Sequence, residues 1–213
     1  MRKGYFITFE GAEGSGKSTQ VELLVKYLQK KKIPFITTRE PGGTEIGEQI
    51  REILLNPKNS NMSHLTELLL YSASRSQHVF QKIVPAVDDG KIVISDRFSF
   101  ASLAYQGYGR GIELDLINNL TKIATQGLNP DLIFLLDINP EVGLAKAKIK
   151  SNALYNTENG DRLEKEDLSF HNRVREGYLK LSQTHKNVRL IEYDKIEIVH
   201  SKIINIFESE ILT

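Results

Sequence analysis

Short apolar runs punctuate the chain at Tyr5 to Phe9, Ile33 to Thr37, Ile92 to Ser95, Leu132 to Leu136 and Val188 to Ile191, each the length of a buried strand. Between and after them apolar positions recur at helical spacing. This predicts helices over Ser18 to Lys31, Glu45 to Leu55, Ser63 to Val87, Leu114 to Gln126, Pro140 to Lys150, Glu164 to His185 and Ile196 to Ile211, several of them opened by Ser, Thr or Pro. Alternation of strand and helix predicts an α/β fold: a five-stranded parallel sheet with helices on both faces, a three-layer sandwich. In such sheets ligands gather at the carboxyl ends of the strands, so the residues just after each apolar run are where chemistry is sought.

With 213 residues, 40% of them hydrophobic, the chain has enough apolar surface for one core, and a single domain over 1–213 is expected. Lysine plus arginine number 28 against 27 for aspartate plus glutamate. That balance speaks against a nucleic-acid or membrane-surface binder and requires any basic site to be local. Cysteine is absent, which excludes disulfides and thiolate metal sites and fits a reducing cytoplasm. In the opening run MRKGYFITFEG, Glu10 and the glycines interrupt the apolar stretch, so neither an export signal nor a membrane span is expected there. The histidines His64, His78, His171, His185 and His200 show no metal-site spacing. The most polar interval, Ser151 to Asp161, is expected to be a mobile loop.

The first strand runs into Gly11-Ala12-Glu13-Gly14-Ser15-Gly16-Lys17-Ser18, which matches the G-x-x-x-x-G-K-[ST] phosphate loop in its required setting between strand and helix. Glycines let backbone N–H groups turn inward around a phosphate, and the helix N-terminus adds partial positive charge. Gly11 to Thr19 are therefore the expected ATP-binding segment, with Lys17 reaching the β- and γ-phosphates and Ser18 a ligand for Mg²⁺. This makes the fold a P-loop NTPase. Switches and motors share the loop, but the Asn-Lys-x-Asp base-reading motif of a guanine switch is missing.

A second phosphate-bearing substrate needs arginines beyond the loop, because their planar forks grip phosphate oxygens in pairs. After the second run comes Thr38-Arg39-Glu40-Pro41-Gly42-Gly43, and after the third Ser95-Asp96-Arg97-Phe98. Arg39 and Arg97 are placed for an acceptor phosphate and Asp96 for orienting Mg²⁺. Taken alone, the first motif also fits an ordinary turn with a surface Arg-Glu pair, and the second a capping Asp beside a solvated Arg.

Together these segments resemble the thymidylate kinases over nearly the whole chain: GAEGSGKST, TREPGG, LLLYSASRSQH, DRFSFASLAYQGYGRG, PDLIFLLDINPEVGL and DRLEKEDLSFHNRV, in that order. The resemblance implies transfer of the ATP γ-phosphate to dTMP, with Arg39 and Arg97 on the dTMP phosphate and Glu13 near the deoxyribose 3′-hydroxyl. It implies that Tyr71 stacks on the base while Arg75, four residues on and hence on the same helix face, bonds a carbonyl oxygen. Tyr105 and Gln106 match positions near sugar and base, the Tyr105 ring crowding a ribose 2′-hydroxyl. A homodimer is implied as well. Alternatives are a nucleoside monophosphate kinase of broader specificity, or a non-catalytic nucleotide switch.

Similar bacterial chains without a basic residue in the variable part of the P-loop carry arginines in a lid over ATP. The matching stretch here, within about 146–162, reads Ala145-Lys146-Ala147-Lys148-Ile149-Lys150 and then runs on to Asp161-Arg162. Lysine brings the charge without the bidentate fork. Lys150 or Arg162 is expected to reach the γ-phosphate.

Overall fold

The computed structural model describes residues 4–155 and 161–212, the side chains of 150–155 excepted. Its sheet contains β1 (Tyr5–Glu10), β2 (Phe35–Arg39), β3 (Ile92–Asp96), β4 (Leu132–Asp137) and β5 (Val188–Glu192), all parallel, in the order β2-β3-β1-β4-β5. From β1 the chain crosses to β2 at one edge and returns to β3 between them, then builds outward on the other side through β4 and β5. The place where that direction reverses is where an open α/β sheet forms its ligand crevice.

Each inner strand separates two cores. Leu132, Phe134 and Leu136 of β4 join Ile7 and Phe9 of β1 in one cluster with Leu24 and Leu28 of α1 (Lys17–Lys31) and with Ile203 and Phe207 of the last helix, Ile196–Ile211. Ile133 and Leu135, the alternate residues of β4, face Phe170, Val174 and Tyr178 of the helix Leu168–Thr184. Successive side chains of a strand point to opposite faces, so a strand covered on both sides must be apolar throughout. Phe134 is fully buried, and truncating it to alanine should cost about 3–5 kcal/mol.

Several boundaries differ from the sequence expectation. β2 begins at Phe35, two residues later than expected, because Lys32 takes a left-handed conformation (φ 57°) and Ile33 N–H bonds back to Leu28 O at 3.0 Å, closing the end of α1. Next comes α2 (Glu45–Leu55), capped by Thr44, whose hydroxyl accepts from Gly47 N–H at 3.0 Å. The expected helix from Ser63 to Val87 is α3 (His64–His78), a wide turn at Val79–Ile83 and α4 (Val84–Asp88).

Between Asp96 and Leu114 the apolar periodicity predicts nothing, yet α5 (Ser99–Ser102) leads into a wide helical turn at Leu103–Gly109 that carries Tyr105 and Gln106. Wide turns of this kind recur at functional sites. After them lies α6 (Leu114–Thr125). The next helix, α7, spans Pro140–Tyr155 and so runs into the interval expected to be a loop, of which 156–160 lie outside the described residues. α8 (Leu168–Thr184) starts later than Glu164 because Asp167 caps it, accepting from Phe170 N–H at 2.7 Å. α9 (Ile196–Ile211) closes the chain. Among the described residues no helix is long and apolar enough to cross a membrane.

Candidate active site

The loop between β1 and α1 is fixed by close backbone approaches. Gly11 has φ 139°, and a Cβ there would lie 2.3 Å from Leu136 O on β4, so only glycine fits. Inside the loop Lys17 Nζ donates to Gly11 O at 2.9 Å, Ala12 O at 2.8 Å and Ser15 Oγ at 3.3 Å. Burial, with the neighbouring Arg97 charge, lowers the ammonium to about 8. Ser18 Oγ donates to Asp96 Oδ2 at 3.0 Å. These two oxygens meet because Ser18 opens α1 while Asp96 ends β3, directly paired with Phe9 of β1.

Arg97 follows Asp96 in a left-handed conformation, φ 72°, with its N–H bonded to Phe9 O at 2.9 Å. That turn aims its side chain back over the loop. Nη1 donates to Gly11 O at 3.0 Å and to the Tyr178 hydroxyl at 3.3 Å, and Nη2 to Glu13 Oε1 at 2.5 Å and the Tyr105 hydroxyl at 3.1 Å. Burial would raise Glu13, but the charges of Arg97 and Lys17 outweigh it and hold the carboxyl at about 2. Beneath Arg97 sits Glu10, wholly buried. It accepts from Phe98 N–H at 2.7 Å and from the Tyr178 hydroxyl at 3.1 Å. Burial pushes it up to about 7 against the pull of Arg97.

Lys17, Ser18, Asp96, Arg97 and Glu13 line one cleft of about 620 Å³ along the carboxyl edge of the sheet, and Glu10 and Tyr178 support Arg97 from behind it. Of the expected ATP segment, Glu13 to Thr19 line it, whereas Gly11 and Ala12 lie behind and hold Lys17 through their carbonyls. Arg39, Tyr71, Arg75, Asp96, Arg97, Tyr105 and Gln106 also line it. Arg39 is half-exposed and paired with Glu48 at 2.7 Å, and the second Glu48 oxygen is held by Gly43 N–H at 2.8 Å. Gln106 is buried, its amide donating to Glu67 at 2.8 Å.

The lid cations are placed differently from expectation. Arg162 does not line the cleft. It is buried, with Nη2 2.6 Å from Glu67 Oε2 and Nε 2.8 Å from Leu54 O. Glu67 is a fully buried carboxylate also held by Arg110 at 3.2 Å. An uncompensated charge at that depth is costly, and Arg162 is drawn to it rather than to the cleft. The side chain of Lys150 lies outside the described residues. Lys146, one helical turn earlier, does line the cleft, its ammonium 4.2 Å from the centroid of the Tyr193 ring and bonded to the Tyr193 hydroxyl.

Sequence reasoning missed Arg51, which lines the cleft and donates to Pro41 O at 3.0 Å. Its signal was present: Glu48, Arg51 and Leu55 share one face of α2 at helical spacing. It also passed over Glu164, a cleft residue raised to about 7 by burial and by the neighbouring Asp161 and Glu13 charges.

A phosphate loop at the central strand of a five-stranded parallel sheet, with a hydroxyl and a carboxylate beside its lysine, defines a P-loop NTPase. Comparison with known proteins narrows the class. The family model for thymidylate kinase matches residues 9–203. The thymidylate kinase of Carboxydothermus hydrogenoformans is 52% identical over 181 residues, 85% of each chain, and that of Clostridium novyi is 51% identical over 187 residues, 88% of this chain and 89% of the relative. The crystal structure of thymidylate kinase from Ehrlichia chaffeensis superposes with a TM-score of 0.76 at 32% identity, covering 96% of this chain and 98% of that one. This chain belongs to the thymidylate kinase family.

Proposed function

We propose that the protein transfers the γ-phosphate of ATP to dTMP, yielding ADP and dTDP. The observation that carries this reading is the single cleft in which the P-loop lysine faces Arg39, Arg51 and Arg97 from other strand ends and α2. One phosphate group needs far fewer cations. Two polyanions brought end to end need this many, because their repulsion must be cancelled before they can react.

The nucleophile is an oxygen of the acceptor phosphate, whose second proton is lost near pH ~6, so it is largely ionised at neutral pH and no general base is required. Lys17 exchanges its loop carbonyls for β- and γ-oxygens. Arg97, held in place by Glu13 and Tyr105, presents its fork to the acceptor, while Arg39 and Arg51 approach from β2 and α2. Tyr71 packs on the base, Arg75 donates to its carbonyl, and the Tyr105 ring crowds the sugar. Ser18 and Asp96 form a pair of hard oxygen donors 3.0 Å apart beside Lys17, which fits Mg²⁺. Ser18 and Asp96 would hold the ion together with ATP, and it would supply positive charge to offset that of the transferring phosphates.

The chain acts as one domain, with Lys146 as a cation on the donor half of the cleft; the lid expected at about 146–162 lies partly outside the described residues. A cytoplasmic location matches a substrate pair of free nucleotides and a chain without cysteine. Leu65 and Leu69 on α3 and Leu116 and Ile123 on the adjacent α6 are exposed apolar side chains, which support assembly as a homodimer. The reading is tested by following ADP release with dTMP, dUMP, UMP, CMP, AMP and GMP in turn; a preference for any acceptor but dTMP overturns it.

A further inference from the structure

Arg75 is 1% exposed, yet it lines the acceptor half of the cleft. Its Nε donates to Glu40 Oε2 at 2.8 Å, and its Nη2 donates to Phe98 O at 3.2 Å and Ser102 Oγ at 2.9 Å. Nη1 alone of its nitrogens has no hydrogen-bond partner among the described residues. A buried donor without a partner is costly, so the position persists where a ligand atom completes it.

What holds the guanidinium in that pose is a chain of buried bonds reaching back to β2. Glu40 Oε1 lies 3.0 Å from His78 Nδ1, and His78 Nε2 lies 2.6 Å from Thr38 Oγ1. Glu40 and His78 are 4% and 0% exposed. A carboxylate only accepts, so Nδ1 carries a proton toward Glu40, and Nε2 is left to bond the Thr38 hydroxyl. The next loop is shaped around this relay: a Cβ on Gly43 would fall 2.5 Å from Thr38 Oγ1 and 2.8 Å from His78 Nε2.

We propose that Glu40, backed by His78 and Thr38, is a positioning residue that sets acceptor-base specificity. It engages Arg75 Nε, fixes the guanidinium plane, and so holds the Nη1 donor toward the base. A donor at that point accepts a ring carbonyl and rejects an exocyclic amine, so the relay selects keto pyrimidines over amino pyrimidines. A site whose buried polar group loses its partner with the wrong substrate discriminates strongly. The inference rests on the dTMP reading and assigns to Glu40 a role in it.

The experiment compares wild type with Glu40→Gln, using dTMP and dCMP as acceptors. The amide keeps the shape but offers one acceptor and one donor where the relay needs two acceptors. Expected are a rise of about tenfold or more in KM for dTMP and a similar loss of the dTMP-to-dCMP preference, with kcat and KM for ATP within about threefold. A folded Glu40→Gln enzyme that keeps the wild-type preference overturns the proposal, as does an equal fall in every parameter with the preference intact. Should that variant not fold, long-range ¹H–¹⁵N spectra of the wild type decide: a His78 with a proton on Nδ1 supports the relay, and one protonated at Nε2 alone overturns it. If the wild type itself does not prefer dTMP to dCMP, the reading beneath the inference fails first, and visibly so.

Discussion

The guanidinium of Arg97 and the carboxylate of Glu13 are joined by a 2.5 Å ion pair, 14% and 25% exposed. The cation proposed for the acceptor phosphate is thus held in place by a carboxylate on the P-loop itself. Preorganisation of this kind removes the need to reorient charge during reaction.

Arg97→Ala is therefore expected to lower kcat roughly a thousandfold, in the range measured for arginines that stabilise phosphoryl transfer. KM for ATP should change by less than about threefold. Arg97→Lys should recover only a minor part, because one ammonium cannot span Glu13, Tyr105 and a phosphate together. Steady-state kinetics with both substrates varied provide the check, and an alanine variant with normal turnover would reduce Arg97 to a structural role.

The 3.0 Å contact between Ser18 and Asp96 leads to a metal prediction. Chelation with EDTA should abolish turnover, and excess Mg²⁺ should restore it. Asp96→Asn should raise the Mg²⁺ concentration giving half-maximal rate about tenfold or more, while leaving binding of metal-free nucleotide little changed. Titrating Mg²⁺ at fixed ATP and measuring nucleotide binding by calorimetry separates the two effects.

Glu10 makes stability depend on pH in a defined window. Its carboxyl is raised from 4.5 to about 7 in the folded state by burial. Its stabilising contribution is thus fully present below about pH 4.5 and is lost as pH rises through about 7. Glu164, raised to about 7 by burial and Asp161, adds a slope of the same sign. Glu10→Gln removes only the Glu10 share, so relative to wild type it should gain stability at pH ~8 compared with pH ~5, by about 1–3 kcal/mol. Urea unfolding of both proteins at the two pH values measures this, and parallel curves would refute it.

Arg162 is expected to matter for stability rather than chemistry. Its pairing with the buried Glu67 at 2.6 Å means that Arg162→Ala leaves a carboxylate short of charge compensation, costing about 3 kcal/mol. Well below the melting temperature kcat should stay within about twofold. A collapse of kcat without loss of stability would return Arg162 to the γ-phosphate.

Much of this could be read along the chain. Each strand was visible as an apolar run, and the segment from Gly11 to Ser18 declared a phosphate loop because its glycine and lysine spacing acts within a single turn. Arg39 and Arg97 were found because strand ends mark the crevice of a parallel sheet. The turn at Leu103–Gly109 escaped notice, since glycines and short length leave it no helical periodicity. Arg162 was misplaced because the group that captures it, Glu67, lies on α3, far back along the chain.

Sequence by itself determined the α/β alternation, the phosphate loop and the strand-end residues Arg39, Asp96 and Arg97 of the cleft, since these follow from patterns spanning a few positions and from backbone needs that only certain side chains meet. Tertiary structure alone decided which charges meet. Arg97 finds Glu13 and Tyr105, Arg75 is clasped by Glu40, and Arg162 turns inward to Glu67. Such pairings depend on how elements distant in sequence pack against one another, and on the need to compensate every charge that packing removes from water.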